Sequence, residues 1–159
     1  MVSYIYSTIG SGQTYTSPQA WEQATSGFNL VSRDEIHIGI ISTDEEWGSL
    51  YISNPNSSYV DSTHYRQLLA TNSGYYNHRT KNGVILYSVT GGQDYFKLGP
   101  GICINRYNAT GDAINLSGRR LLLNGLTISN LGQNSVGIRL IDASGESIVA
   151  NTLVHGNLN

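Results

Sequence analysis

Asp112, Asp142 and Glu146, with Asp94 next, are the side chains whose type and position could do chemistry. Hydrolysis of a glycosidic bond needs two carboxyl groups flanking the sugar, about 5–5.5 Å apart for retention or about 6.5–9.5 Å for inversion. A second group, Tyr75, Tyr76, His78 and Arg79, sets rings beside hydrogen-bond donors. Such a mixture lets a protein stack on the apolar face of a sugar and bind its hydroxyls, or lets a loop pack against its scaffold. The stretch Gly91–Phe96 repeats the mixture with Gln93, Asp94, Tyr95 and Phe96. The acidic run Asp44-Glu45-Glu46 could draw a hard cation, which takes several oxygen ligands, but three consecutive strand positions cannot all point at one ion. His37, His64, His78 and His155 lack the i, i+4 spacing or cysteine company of a zinc site. Cys103, between Ile102 and Ile104, alternates away from both and reads as an inert strand thiol. Gly10-Ser11-Gly12 lacks the further glycine and the lysine of a phosphate loop, and no Ser/His/Asp nucleophile elbow is present. No metal and no cofactor is therefore expected.

The composition bounds the partners. The chain has 159 residues, 9 Lys+Arg against 11 Asp+Glu, and a net charge of −2. That balance offers no electrostatic footprint for nucleic acid or anionic lipid, which need clustered Lys and Arg. Its 19 Ser, 12 Thr and 15 Asn far outnumber the charged residues, so hydroxyls and amides must solvate the surface. At 39% apolar the chain is too hydrophobic for a disordered tail, and runs such as Val84–Tyr87 are too short to span a bilayer. A single cysteine excludes an internal disulfide. The first six residues carry neither the basic region nor the apolar region of a secretion signal, so an extracellular destination would be reached by another route.

The elements that must position these side chains are mostly strands. Val2–Ile9 alternates β-branched and aromatic residues with Ser and Thr, and stops at Gly10-Ser11-Gly12. A short helix follows: Ser17 is its N-cap, Pro18 takes the first position, Ala20, Trp21 and Ala24 share a face, and Ser26-Gly27 ends it. From Glu35 onward the period is two, with Ile36, Ile38 and Ile40 on one side and His37 and Gly39 on the other. Further strands of three to five residues centre on Leu50, Ile85, Ile104, Leu116, Leu123, Ile128, Leu140 and Ile148.

Internal offsets decide how those strands stack. At 24 residues Ile114 falls on Ile138 and Leu116 on Leu140; at 26, Leu122 and Leu123 fall on Ile148 and Val149; near 29, Gly83–Tyr87 falls near Gly111–Leu116. Two or three short strands per such period predict a parallel β-helix, each turn burying one stripe against the turns above and below. Under the 24-residue offset Asp112 meets Val136 and Asp142 meets Gly118, so the two carboxylates do not stack, and both read as corner residues bonding nearby N–H groups. The expected organisation is one domain. Residues 1–30 form an N-terminal strand and capping helix, and 31–159 form coils with a loop excursion at about 54–82 that holds Tyr75–Arg79.

Tyr6–Trp21, a strand, a glycine turn, an aromatic and a short amphipathic helix, resembles the opening of right-handed parallel β-helix proteins of the pectate-lyase-like class. Asp61-Ser62-Thr63-His64 with Gly74, His78 and Asn82-Gly83-Val84 is similar to a stretch seen in phage structural proteins, and Leu123-Asn124-Gly125-Leu126-Thr127-Ile128-Ser129-Asn130 to the generic coil of the fold. The resemblance implies a non-enzymatic structural protein of a phage or phage-like particle: a decoration, fibre or appendage component made in the cytoplasm. Its partners would be other copies of itself or other virion proteins. The alternative it leaves open is a β-helix that binds or cleaves a surface polysaccharide, with Asp112, Asp142 or Glu146 as acid and base, or with Tyr75–Arg79 as the binding loop. Relatives of this kind run longer, and the close at Val154–Asn159 without a capping element implies a fragment or an end that docks.

Overall fold

The computed structural model describes residues 1–53, 56–71, 83–106, 110–132, 135–141 and 145–156. The chain runs through β1 (Ser3–Ile9), α1 (Pro18–Thr25), α2 (Leu30–Arg33), β2 (Glu35–Ile41), β3 (Glu46–Trp47), β4 (Leu50–Ile52) and a 3-10 turn at Ser57–Tyr59. It continues through β5 (Arg66–Ala70), β6 (Ile85–Leu86), β7 (Val89–Gly92), β8 (Lys97–Leu98), β9 (Cys103–Asn105) and β10 (Ile114–Ser117). The last tiers hold β11 (Leu122–Asn124), β12 (Thr127–Leu131), β13 (Ile138–Ile141), β14 (Ile148–Ala150) and β15 (Leu153–Gly156).

These strands make three sheets, ordered β1-β2-β5-β8-β11-β14, β3-β6-β9-β12-β15 and β4-β7-β10-β13. From β2 on, the chain visits the first, second and third sheet in unbroken rotation, and every named strand pair is parallel. Parallel pairing with no hairpin forces each strand to wait for the chain's return, so the spacing of the apolar repeat fixes the register. Ile114 pairs with Ile138 and Leu116 with Leu140, and Leu122 and Leu123 pair with Ile148 and Val149, as the 24- and 26-residue offsets predict. The 29-residue offset does not hold: Ile85 and Leu86 pair with Cys103 and Ile104 in the second sheet, whereas Ile114 lies beside Val89 in the third.

Inward columns run through the stack. One is Leu68, Leu98, Leu123 and Val149, and another is Leu86, Ile104, Ile128 and Val154. Their members up to Leu123 and Ile128 join an apolar core with Ile52, Val89, Ile114 and Leu116, while Val149 and Val154 lie outside it. At the other end Trp21 of α1 lies over the core and is fully buried.

On β2 the expected alternation holds, with Ile36 and Ile38 outside the core cluster and Gly39 and Ile41 facing in, where a Cβ on Gly39 would come within 2.9 Å of Ile9 and of the Trp21 ring. On α1 the buried face is Pro18, Trp21, Glu22 and Thr25 rather than Ala20, Trp21 and Ala24; Ala24 is exposed. The N-terminal signal itself reads as expected: Ser17 Oγ accepts from Ala20 N at 3.1 Å, with Pro18 at the first helical position. Within the stretch read as a loop excursion, β5 is a fully paired strand between β2 and β8.

Candidate functional site

The densest polar chemistry lies at the helix-covered end of the stack. Position 66 on β5 points inward, in register with His37 on β2, and carries an arginine. Its guanidinium donates to Glu22 Oε1 at 3.1 Å, to Gln93 Oε1 from Nε at 2.7 Å and again from Nη2, and to the Ser53 carbonyl at 3.1 Å. Trp21 and Phe96 each lie 5.9 Å from the guanidinium carbon. Arg66 and Glu22 are each 1% exposed, so neither charge sees bulk water. Burial pulls the arginine pKa below its usual range, and the Glu22 carboxylate opposes that shift. Such a group is a buried ion pair with its hydrogen bonds satisfied, and it locks α1, β5 and the Gln93 corner together.

Outside it lies a charged column. His64 sits between two carboxylates, Nε2 3.1 Å from Asp34 Oδ1 and Nδ1 2.9 Å from Asp61 Oδ1. Burial disfavours its charged form, but the two aspartates outweigh that and raise its pKa. Asp34 is held below the usual carboxylate range chiefly by His64 and then by the terminal amine, 3.0 Å away. Asp61 is likewise lowered, because the bonds from Thr63 and His64 outweigh burial.

Beside this column is a half-open cavity of about 160 Å³ under α1 and α2, walled by Ser7, Tyr15, Phe28, Arg33, Glu35 and His37 among others. Glu35 Oε2 accepts from Arg33 Nε at 2.7 Å and from His37 Nε2 at 2.9 Å, and these two, His37 foremost, hold its pKa low. Arg33 also stacks on the Phe28 ring at 4.4 Å, and Phe28 meets the His37 ring edge-on at 5.4 Å. His37 is buried and its Nδ1 has no hydrogen-bond partner.

The residues singled out from sequence lie elsewhere. Asp112 is bonded by Arg139 Nε at 2.6 Å and by Asn115 at 2.9 Å, and Arg139 first among its neighbours lowers its pKa. Glu146 is exposed on the last tier. Asp142 and Tyr75, Tyr76, His78 and Arg79 lie outside the described residues. In the Gly91–Phe96 stretch, Gln93 binds Arg66, Asp94 takes three bonds from Arg119 of the next tier, and Phe96 is core, so these side chains hold the fold together. Glu45 anchors the glycine turn by accepting from Ser11 N at 2.8 Å. Cys103 is buried outside the core cluster, 3.6 Å from Ser129 Oγ. Among the described residues no three His, Cys, Asp or Glu side chains gather as a metal site. Sequence reasoning missed Arg66, Glu22 and the His64 column; the only signal was an arginine opening a five-residue apolar-tending strand. No protein-family model, curated protein or solved structure matches the chain.

Proposed function

We propose that the three rotating sheets are a right-handed parallel β-helix and that the protein is a structural component of a phage-like particle, assembling with other copies of itself through its last tier. One observation carries the reading. Along the column Leu68, Leu98, Leu123 and Val149 exposure is at most 1% until Val149, where it reaches 46%, and Val154 ends the column beneath Ile128 at 46% as well. Among the described residues both columns are dry from Leu68 and Leu86 up to Leu123 and Ile128 and exposed at Val149 and Val154, and β14 and β15 are the outermost strands of their sheets. A second copy seated there buries both the valines and the open edges. The tying of Asp112 to Arg139 and of Asp94 to Arg119 further supports a structural over a hydrolytic role, since a catalytic carboxyl must be free to exchange a proton.

Light scattering coupled to size-exclusion chromatography tests the assembly. The 159-residue chain is expected to run as a defined oligomer at about 100 µM and to dissociate on dilution. Val149→Asp and Val154→Asp, which place charge on the exposed stripe, are expected to give a folded monomer. A wild-type monomer at every concentration would overturn the reading.

A further inference from the structure

We propose that the free edge of β1 is an interaction surface for a second copy of this chain, the two β1 strands pairing antiparallel about a two-fold axis at Ile5. This surface lies at the opposite end of the stack from the last tier and does not rest on the assembly proposed there.

β1 is the outermost strand of its sheet, and its bonding pattern shows which backbone groups are left over. Ser3 N donates to the Asp34 carbonyl at 2.8 Å, so the odd-numbered residues of β1 turn their groups toward β2, while Tyr4, Tyr6 and Thr8 turn theirs away. Tyr15 closes the far part of that edge: its N–H donates to the Thr8 carbonyl at 3.1 Å, and its carbonyl accepts from Gly10 N at 2.9 Å. Among the described residues nothing pairs with the outward N–H and C=O groups of Tyr4 and Tyr6. Another edge at this end is closed instead, since Gln19 of α1 bonds both the N–H and the carbonyl of Tyr51 on β4, at 2.8 and 3.3 Å.

The open run is Ser3-Tyr4-Ile5-Tyr6-Ser7, which reads the same in both directions. It carries neither the charge nor the proline with which exposed edges avoid pairing. Tyr4, Ile5 and Tyr6 are 55%, 37% and 61% exposed. A two-fold axis demands a self-complementary patch, and a palindromic strand is one. Centred on Ile5, antiparallel pairing sets Tyr4 opposite Tyr6 of the second copy and Tyr6 opposite its Tyr4. These are the residues whose groups face out, so each facing pair exchanges two hydrogen bonds, and Ile5 meets its counterpart in the non-bonded position between them. A register two residues away would face Tyr6 with Val2, which precedes the strand, or Tyr4 with Thr8, whose carbonyl Tyr15 already holds. The Tyr4 and Tyr6 rings, stacked 6.2 Å apart within one strand, then join those of the second copy in one aromatic block. An unrelated extended peptide could bond the same edge but would gain nothing from the palindrome.

Disulfide trapping with diamide as the oxidant reads the register. In the non-bonded pair the Cα atoms of the two Ile5 residues are about 4.5 Å apart, within disulfide span, whereas two copies of position 4 sit two residues out of step, beyond about 7 Å. Ile5→Cys is therefore expected to form a covalent dimer at least about tenfold faster than Tyr4→Cys, although chance collisions favour the more exposed position 4. The wild-type chain, whose single cysteine is buried, is expected to form none. Added to Ile5→Cys, Tyr4→Lys with Tyr6→Lys sets like charges opposite each other and is expected to lower the yield roughly fivefold, while Tyr4→Lys with Tyr6→Glu sets opposite charges in both pairs and keeps it. So short an edge gives a weak pair, with Kd on the order of millimolar, and the cross-link is expected to persist in the Val149→Asp, Val154→Asp chain, which separates it from docking on the last tier. Should Ile5→Cys unfold, a mixture of Tyr4→Cys and Tyr6→Cys chains reads the same register, each cross-linking to the other and not to itself. Equal rates for Ile5→Cys and Tyr4→Cys, equal yields for the two charge variants, or a cross-link lost with the last-tier valines would overturn the pairing.

Discussion

Arg66 shows how much of the stability can hang on one side chain. Its charge is buried together with that of Glu22, and Gln93, Ser53 and Thr25 complete its bonds. Removing one partner of a buried pair leaves the other uncompensated, a loss of about 3–5 kcal/mol. Glu22→Gln is therefore expected to lower the urea unfolding free energy by about that amount, and Tm by roughly 6–20 °C at the scaling for a domain of this size. The double change Glu22→Leu with Arg66→Met is expected to recover only part, because Gln93 and the Ser53 carbonyl then lack their donor; a single variant within about 1 kcal/mol of wild type would refute this account. His64 acts through pH instead. Its folded pKa is raised, so its contribution is complete below the ordinary histidine value and is lost as pH rises through the folded value. Asp34 and Asp61 have lowered pKa values, so theirs is present above the ordinary carboxylate range and is lost as pH falls through the folded values. The stability difference between wild type and His64→Gln is thus expected to be largest near about pH 5.5 and to shrink toward about pH 9, and a difference that stays flat over that range would remove the column as a source of stability.

At the scale of the element, close stacking sets the strictest demand. Gly91 ends the inward run of β7 with φ +104°, and a Cβ there would collide with the backbone carbonyl of Ile52 one tier earlier. Both the dihedral and the collision oppose any side chain, and no rotamer relieves a clash with backbone. Gly91→Ala is expected to destabilise by well over the roughly 1 kcal/mol range of an ordinary glycine change, whereas Gly48→Ala, with nothing within 4 Å, is expected to be nearly neutral; thermal melts of the two variants give the comparison. The same stacking explains what could be read in advance. The pairings of Ile114 with Ile138 and of Leu122 with Ile148 were legible because the apolar repeat is itself the interface between tiers. Strand β5 was not, since Arg66-Gln67-Leu68-Leu69-Ala70 puts a charge at an inward position, and its partner Glu22 lies 44 residues earlier on a helix. On β2 the alternation was legible but not which face turns in, because α1 fills the space inside that tier with Trp21 and only glycine fits beneath it. Asp112 reads from the sequence as a corner residue bonding nearby N–H groups; its strongest partner, the Arg139 guanidinium, comes from the following tier, beside Asn115 in the register.

For the whole molecule, contacts run mainly from one tier to the next, so stability should be distributed as in a one-dimensional stack. The helix-covered end is closed by Trp21 and tied by Arg66, and the middle tiers are dry. Among the described residues β14 and β15 each pair on one side, and their inward Val149 and Val154 are half exposed. Local opening free energy therefore falls toward β13, β14 and β15, whose backbone bonds can break without disturbing two interfaces. Hydrogen exchange followed by mass spectrometry is expected to show Leu122–Asn124 exchanging slowly and Ile148–Ala150 and Leu153–Gly156 much faster in dilute protein. If copies dock on the open tier, those two segments gain protection as concentration rises, and Leu122–Asn124, already covered on both sides, does not change. Uniform protection at low concentration would mean that the last tier is held by contacts other than stacking. Concentration-independent exchange in β14 and β15 would locate any association on a different face of the molecule.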